Sequence, residues 1–424
     1  MADLRSNFAG ITSPNPFWLA SAPPTDKAYN VERAFKAGWG GVVWKTLGED
    51  PPIVNTTSRY GAVSLNGQRI AGFNNIELIT DRPLDVNLQE IKQIKRDWPD
   101  RAVLVSLMVP CEEAPWRKIL AAVEDTGADG MELNFGCPHG MSERGMGSAV
   151  GQVPEYVEMV TRWCKSMTQM PVFVKLTPNV TNILAPARAA RLGGADAVSL
   201  INTINSIVSV DLDIMAPTPT VDGKGSHGGY CGPAVKPIAL HLVAEIARDP
   251  ECAGMGISGI GGIETWRDAA EFISLGADNV QVCTGVMHYG FKIVDDMIDG
   301  LNNWMDSKEH GEVVDFHRAA IPNLVAWQDL NINHELVARI DQDKCIKCGL
   351  CYVACEDTAH QAISITGKGT DRRFGTIDAE CVGCNLCAHV CPVEDCITME
   401  AVDNGKPYLN WAQDPRNPNS AAAE

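Results

Sequence analysis

The sequence predicts an α/β chain: a (β/α)8 TIM barrel over residues 1–320, then a small cysteine-dense domain over 341–404. Three observations predict this. Eight short apolar runs alternate with amphipathic stretches. A Gly-Ala-Asp triplet recurs at 127–129, 194–196 and 276–278, each time after a helical stretch and before an apolar run. Nine of the 15 cysteines fall between Cys345 and Cys396. Residues 321–340 read as the connection, and 405–424 as a tail whose end, "DPRNPNSAAAE", frays.

The strands in order are "FWLASA" (17–22), "GVVWKT" (41–46), "VLVSLM" (103–108), "GMELNF" (130–135), "VFVKLT" (172–177), "AVSLINT" (197–203), "MGISGIGG" (255–262) and "NVQVCTG" (279–285). Near-continuous apolar runs suit a parallel sheet covered on both faces. Residues 155–167, 235–248 and 291–305 place apolar groups three and four apart, the helical period. A doubly wound open sheet is the competing fold. It would place a Gly-rich turn after the first strand, and "LASAPPTDK" has none. The stretches 47–82, 136–153 and 204–234 are long enough to cover the barrel mouth as lids.

Composition narrows the function. A net charge of -18 argues against nucleic acid as the main partner. No apolar run reaches ~18 residues, so no transmembrane helix is expected. "MADLRSNFAG" lacks a charged-then-apolar leader, and the expected location is the cytoplasm.

In a barrel the C-terminal strand tips build the site. Here they carry Ser21, Lys45 and Thr46, Ser106, Asn134, Lys175, Asn202 and Thr203, Ser258, and Thr284. A single polar tip is accounted for by turn formation; polar groups at all eight tips are not. Lys45 and Lys175 each end an apolar run, and an unpaired ammonium facing the interior would be costly. Either alone is accounted for by a carboxylate partner or by snorkelling. Two on one mouth suggest an anionic cofactor. The loops after strands seven and eight bring Gly259, Gly261, Gly262, Cys283, Thr284 and Gly285, where glycines admit backbone N–H groups to a phosphate. Gly254, Gly256 and Gly259 match G-x-G-x-x-G by letter, but not in a strand-to-helix turn. A phosphate site without a dinucleotide fingerprint fits a mononucleotide, and FMN is the natural candidate.

"CIKCGLCYVAC" spaces Cys345, Cys348, Cys351 and Cys355 as C-x2-C-x2-C-x3-C, and "CVGCNLCAHVCP" repeats it with Cys381, Cys384, Cys387 and Cys391. This is the bacterial ferredoxin run, in which the fourth cysteine of each run ligates the other cluster. One [4Fe-4S] centre is therefore assigned Cys345, Cys348, Cys351 and Cys391. The second takes Cys381, Cys384, Cys387 and Cys355. Zinc favours paired C-x2-C units instead. Cys396 lies outside the pattern and reads as a buried, inert thiol. Clusters pass one electron at a time and a flavin handles one or two. A chain with both and no nicotinamide site points to a partner subunit carrying FAD and an NAD(P)H site.

Six stretches carry a family resemblance: "NPFWLASAPPT", "FNNIEL", "ELNFGCPHGM.ERGMG", "VKLTPNVT", the Asn-Thr pair at 202–203, and "QVC". With the double-cluster tail, they make the chain similar to the dihydropyrimidine dehydrogenases, and more widely to the dihydroorotate dehydrogenases. The FAD and NADPH domains of the longer members are missing here. The resemblance is thus to the separate pyrimidine-reducing subunit of a bacterial, NAD-dependent two-subunit form. It implies reversible reduction of uracil or thymine in pyrimidine catabolism, with hydride from FMN to C6 and a proton from Cys137 to C5. It implies substrate contacts from Asn75, Asn134, Asn202 and Thr203, flavin contacts from Lys45 and Lys175, and a phosphate-region role for Gly229. It also suggests a homodimer within the hetero-oligomer. Cys231 is the competing acid. A dihydroorotate-type flavin enzyme, whose substrate carboxylate would need an extra cation, and an electron carrier with a silent barrel are the alternatives.

Overall fold

The computed structural model describes residues 2–48, 52–54, 56–65, 69–138 and 145–419. The chain divides into two units, Met1–Pro322 and Asn323–Glu424.

The first unit is a closed parallel barrel. Its strands are β1 (Phe17–Leu19), β2 (Gly41–Leu47), β3 (Ala102–Leu107), β4 (Gly130–Asn134), β5 (Val172–Lys175), β6 (Ala197–Leu200), β7 (Gly256–Ile260) and β8 (Asn279–Val282). They pair in chain order and β8 closes onto β1. Each strand coincides with one of the eight apolar runs, with Leu47 and Ala102 each one residue outside. The principal helices between and after them are α1 (Ala28–Ala37), α2 (Leu84–Asp97), α3 (Glu113–Glu124), α4 (Pro154–Met167), α5 (Leu184–Leu192), α6 (Lys236–Arg248), α7 (Trp266–Ser274) and α8 (Ile293–Ser307).

Strand alternation sorts the side chains into an outer and an inner set. Val42, Trp44, Val103, Val105, Met131, Leu133, Val172, Val174, Val198 and Val280 join the core beneath the helices. The inner set changes character along the barrel axis. At the N-terminal end Trp18, Val43, Leu104, Phe173 and Ala197 form a separate apolar cluster with Phe8. Phe8 comes from the hairpin Ser6–Phe8/Ile11–Ser13 and stacks on Phe173 with ring centroids 4.8 Å apart. On four of these strands the same face turns polar two residues further along: Lys45 after Val43, Ser106 after Leu104, Lys175 after Phe173, Ser199 after Ala197. An apolar plug therefore seals one end, and a polar layer faces the other.

The stretches 47–82 and 204–234, expected as lids, are more ordered than loops. They supply Tyr60–Leu65 and Arg69–Asn75 from one, and Ile204–Ser206 and Gly228–Cys231 from the other, to one four-stranded antiparallel sheet. The third expected lid, 136–153, ends in a short helix, Ser148–Gly151; its residues 139–144 lie outside the described set.

The second unit begins at Asn323, and the stretch read as a connection is partly built into it. Glu335–Ile340 pairs along its length with Ile397–Val402, and its Ala338 and Ile340 pack against the cysteine-rich core. A second hairpin joins Ile363–Thr366 to Arg373–Thr376. The tail is also less frayed than expected. Asp414 is 2 % exposed and bonded to Arg416, and Leu409 accepts a backbone bond from Ile332 at 2.8 Å; residues 420–424 lie outside the described set. Among the described residues no helix is long and apolar enough to cross a membrane.

Candidate functional site

A cleft of about 1170 Å³ opens at the C-terminal end of the barrel. It is lined by Ser21, Lys45, Thr46, Asn75, Asn134, Cys137, Lys175, Asn202, Thr203, Gly261, Gly262, Cys283, Thr284 and Gly285, which brings together most of the residues that the sequence singles out.

Lys45 and Thr46 sit where the β2–β3 register shifts, between Trp44 and Leu47. Such an irregularity re-aims side chains at a strand end. Both lysines have the carboxylate partners that their burial requires. Lys45 Nζ donates to Glu77 Oε1 at 2.9 Å and lies 3.8 Å from Asp26 Oδ2. Glu77 also accepts from Arg59 Nη1 at 2.8 Å and from the Tyr60 hydroxyl at 3.0 Å. Burial pushes the Glu77 carboxyl up, but Lys45, Tyr60 and Arg59 outweigh it and hold it below the usual range. At Asp26 burial wins over Lys45 and the Thr80 hydroxyl, and its carboxyl is raised. Burial and the charge of Glu77 together raise the Tyr60 phenol, which therefore serves as a donor. Lys175 Nζ faces Glu132 Oε1 at 3.8 Å.

A polar chain runs across the cleft floor. Asn202 Nδ2 donates to Asn134 Oδ1 at 3.0 Å, and Asn134 Nδ2 donates to Thr46 Oγ1 at 3.0 Å. Thr46 Oγ1 lies 2.9 Å from Ser106 Oγ and 3.1 Å from Ser21 Oγ. Asn134 Oδ1 also accepts the Gly136 N–H at 3.2 Å, and Asn202 Oδ1 accepts the Thr203 N–H at 2.9 Å. Counting capacity, Asn134 keeps one N–H, while Asn202 keeps one N–H and one lone pair. Asn75 reaches the cleft from the four-stranded sheet; its Nδ2 donates to the Gly229 carbonyl at 2.9 Å. Gly136 has a steric reason to be glycine: a Cβ there would stand 2.4 Å from that of Asn202.

Cys137 follows on the same loop and lines the cleft. It packs against Ile79, Met108 and Met146, and its carbonyl accepts the Ser148 N–H at 3.0 Å. Two further thiols line the cleft. Burial raises both, Cys231 against the Phe73 carbonyl at 3.5 Å and Cys283, which is pushed up to about 12.

Three expected cofactor residues stand back from the lining. Ser258 is fully buried below the mouth, its Oγ accepting from Gln281 Nε2 at 2.9 Å. Gly259 points outward to the helices, where a Cβ would lie 2.5 Å from Phe272 Cδ1. Gly229 leaves room for Thr203, whose Oγ1 a Cβ would approach to 2.0 Å. Gly261 and Gly262 do line the cleft, and both turn through positive φ, 133° and 73°.

The cleft fits a mononucleotide flavin. It has a glycine corner beside the helix Thr284–Tyr289, two lysines, and the Gln281 Oε1 as a buried oxygen without a protein partner among the described residues. Glu77, Asp26, Tyr60, Gln281 and Glu132 were not singled out in the sequence. Glu77 stood in the quoted "FNNIEL", two residues after Asn75, and that nearness was the available signal.

In the second unit Cys355 lines one cavity of about 340 Å³ together with Cys381, Cys384 and Cys387, so the fourth cysteine of the first run faces the first three of the second. Cys345 and Cys391 both border the buried thiol of Cys396, which burial pushes up to about 12. The two runs wrap alike. Lys347 and Gly349 around Cys348, and Gly383 and Asn385 around Cys384, all take positive φ, between 59° and 86°. Such backbone forms a concave nest of N–H groups suited to an anionic centre. Among the described residues no three His, Cys, Asp or Glu side chains crowd close enough to share a single metal ion. A cubane, with one thiolate per iron, needs them spread.

Comparison with known proteins agrees with both halves. The dihydroorotate dehydrogenase family matches residues 3–305, and a 4Fe-4S dicluster domain matches residues 338–399. The NAD-dependent dihydropyrimidine dehydrogenase subunit PreA of Escherichia coli is 41% identical over 94% of this chain and 96% of its own. The chloroplastic dihydropyrimidine dehydrogenase (NADP(+)) of Arabidopsis thaliana is 39% identical over 82% and 83%. The catalytic subunit of dihydroorotate dehydrogenase B (NAD(+)) of Pyrococcus abyssi is 36% identical over 73% and 96%. A crystal structure of dihydroorotate dehydrogenase from Eimeria tenella shares the fold, with a TM-score of 0.62 at 22% identity over 75% of this chain and 92% of that one. The chain belongs to the dihydroorotate dehydrogenase family, whose members bind FMN, and is an oxidoreductase of its dihydropyrimidine dehydrogenase branch with an added 4Fe-4S domain.

Proposed function

From that membership we propose that the chain is the pyrimidine-reducing subunit of an NAD-dependent dihydropyrimidine dehydrogenase. It interconverts uracil or thymine and the 5,6-dihydro base, as a step of pyrimidine catabolism. The observation that carries this reading is the amide floor of Asn134 and Asn202 beside Cys137 and the two lysines. A pyrimidine edge alternates N–H and C=O, and amides with spare donors and acceptors complement both.

FMN, when bound, supplies the hydride that adds to C6. Lys45, Lys175, Ser21 and Thr46 would hold its ring and side chain. Gly261, Gly262, Cys283, Thr284 and Gly285 would hold its phosphate. Ser258, Gly259 and Gly229 support these groups from behind. Asn75, Asn134, Asn202 and Thr203 hold the base flat. Cys137 gives the Sγ proton to C5 as the general acid. Cys231 and Cys283, partly buried and with their thiols raised, are poorer acids for this step.

Charge separates this reading from a dihydroorotate substrate. The only cationic side chains among the described cleft residues are Lys45 and Lys175, and each has a carboxylate within 4.0 Å. Neither is spare for a substrate carboxylate. In the tail, Cys345, Cys348, Cys351 and Cys391 would hold one cluster, and Cys381, Cys384, Cys387 and Cys355 the other. Together they deliver electrons singly from a FAD- and NAD(P)H-binding partner subunit. Anaerobic titration tests the proposal. The chain is reduced with dithionite, uracil is added, and flavin absorbance is followed. Uracil should reoxidise the flavin and orotate should not; reoxidation by orotate alone, or by neither, would remove the pyrimidine reading.

A further inference from the structure

One charged group inside the barrel has no part in the chemistry just outlined. Glu132, on β4, is fully buried. Its Oε2 accepts from Ser199 Oγ on β6 at 2.7 Å. Its Oε1 makes no hydrogen bond among the described residues and lies 3.8 Å from Lys175 Nζ on β5. The register explains the placement. Asn134 stands opposite Lys175, and Lys175 opposite Ser199, so Glu132 lies one inner position deeper than Lys175. Lys175 lines the cleft; Glu132 does not.

A buried carboxylate oxygen left without a donor is costly, and a native barrel retains one only where it does something. The two lysines differ in how their charge is met. Lys45 donates directly to Glu77 and has Asp26 nearby. Lys175 has Glu132 as its one carboxylate within 4.0 Å among the described residues, at a separation too long for a hydrogen bond. Glu132 thus acts on Lys175 through charge, in a low-dielectric interior where charge acts strongly.

We propose that Glu132 is a positioning residue that holds the Lys175 ammonium at the cleft floor and offsets part of its charge, and so sets the electron affinity of the flavin bound above it. The proposal rests on the FMN reading. An uncompensated lysine beside the ring would favour the reduced, anionic flavin and make its hydride harder to give up. With Glu132 behind it, Lys175 still orients the ring but draws less electron density from it.

The test uses the full FMN-loaded chain and sulfite, whose sulfur lone pair forms a bond to flavin N5 and leaves the negative charge on the ring. Sulfite affinity therefore reads the positive charge beside the flavin without any turnover. Glu132→Gln should bind sulfite about ten-fold or more tightly than the parent chain and should raise the flavin midpoint potential. Glu132→Asp keeps the charge but withdraws it by one methylene. It should shift both readings in the same sense by a smaller factor, and it decides the matter if the Gln variant does not fold. Parent-like sulfite affinity per bound flavin in the variants would overturn the proposal, even if FMN were held less tightly, because that is the result of a purely structural role. A parent chain that takes up no FMN would instead sink the flavin assignment.

Discussion

The barrel mouth and the cluster unit solve the same problem, holding a redox group, in opposite ways. The cleft collects Ser21, Lys45, Asn75, Asn134, Lys175, Asn202 and Thr284 from points spread over more than half the chain. The cluster unit concentrates its candidate ligands in two runs of eleven residues, Cys345–Cys355 and Cys381–Cys391. The first depends on a completed fold. The second depends on local wrapping, with one exchange: Cys355 crosses to the other run. Damage to the two regions should therefore separate cleanly.

The largest effect is expected at that exchange. Cys355→Ala should abolish one cluster's signal and drive partner-dependent turnover to background, while FMN content and uracil-driven reoxidation of the dithionite-reduced flavin persist. Iron analysis and anaerobic spectroscopy check this; loss of FMN alongside the iron would break the comparison. Next comes Cys137→Ala, which should keep FMN and both clusters but lower steady-state turnover by ~10²-fold or more. A parent-like rate there would move the acid role elsewhere.

A smaller effect concerns the barrel alone. Glu77→Ala leaves Lys45 with only Asp26, and removing one partner of a buried ion pair costs roughly 3–5 kcal/mol. Denaturant titration should show the loss in the first unit's transition, with the cluster unit's unchanged. The smallest is a reactivity difference. Burial raises Cys283 to about 12, so its thiol stays neutral at pH 8 and should resist iodoacetamide in the native chain. By linkage, that raised thiol adds stability in full below its unfolded value near ~8.5, and the contribution fades as pH climbs toward about 12. A fast-labelling Cys283 would contradict the raised thiol.

The same contrast explains what could be read from the sequence. All eight barrel strands were legible, because each is a continuous apolar run between helices. The double-cluster domain was equally legible, because its cysteine spacing is a local motif, and Cys355 does share a cavity with Cys381, Cys384 and Cys387. The glycines expected at the cofactor divide by position. Gly261 and Gly262 line the cleft, whereas Gly259 is glycine to admit Phe272 and Gly229 to admit Thr203. Composition cannot distinguish these reasons; they depend on what packs behind. The partner of Lys45 lies 32 residues away in Glu77, and the partner of Lys175 lies 43 residues back, on the neighbouring strand. Strand periodicity says that an inward lysine needs a carboxylate, but not which one. The sheet over the mouth reads as loops in the sequence because its strands are short and the pairing that joins its two halves, Arg69–Asn75 with Gly228–Cys231, spans more than 150 residues.

That sheet has an implication for synthesis and for ancestry. Asn75 is opposite Gly229, so the sheet that brings Asn75 to the cleft cannot close until the ribosome has moved past the sixth strand. A half-made chain can already shape much of its scaffold yet lacks the sheet over its mouth. By the same logic, the two insertions forming the sheet could be exchanged as a pair without disturbing the barrel beneath, which offers a lineage a short route to a new substrate on an old electron-transfer platform.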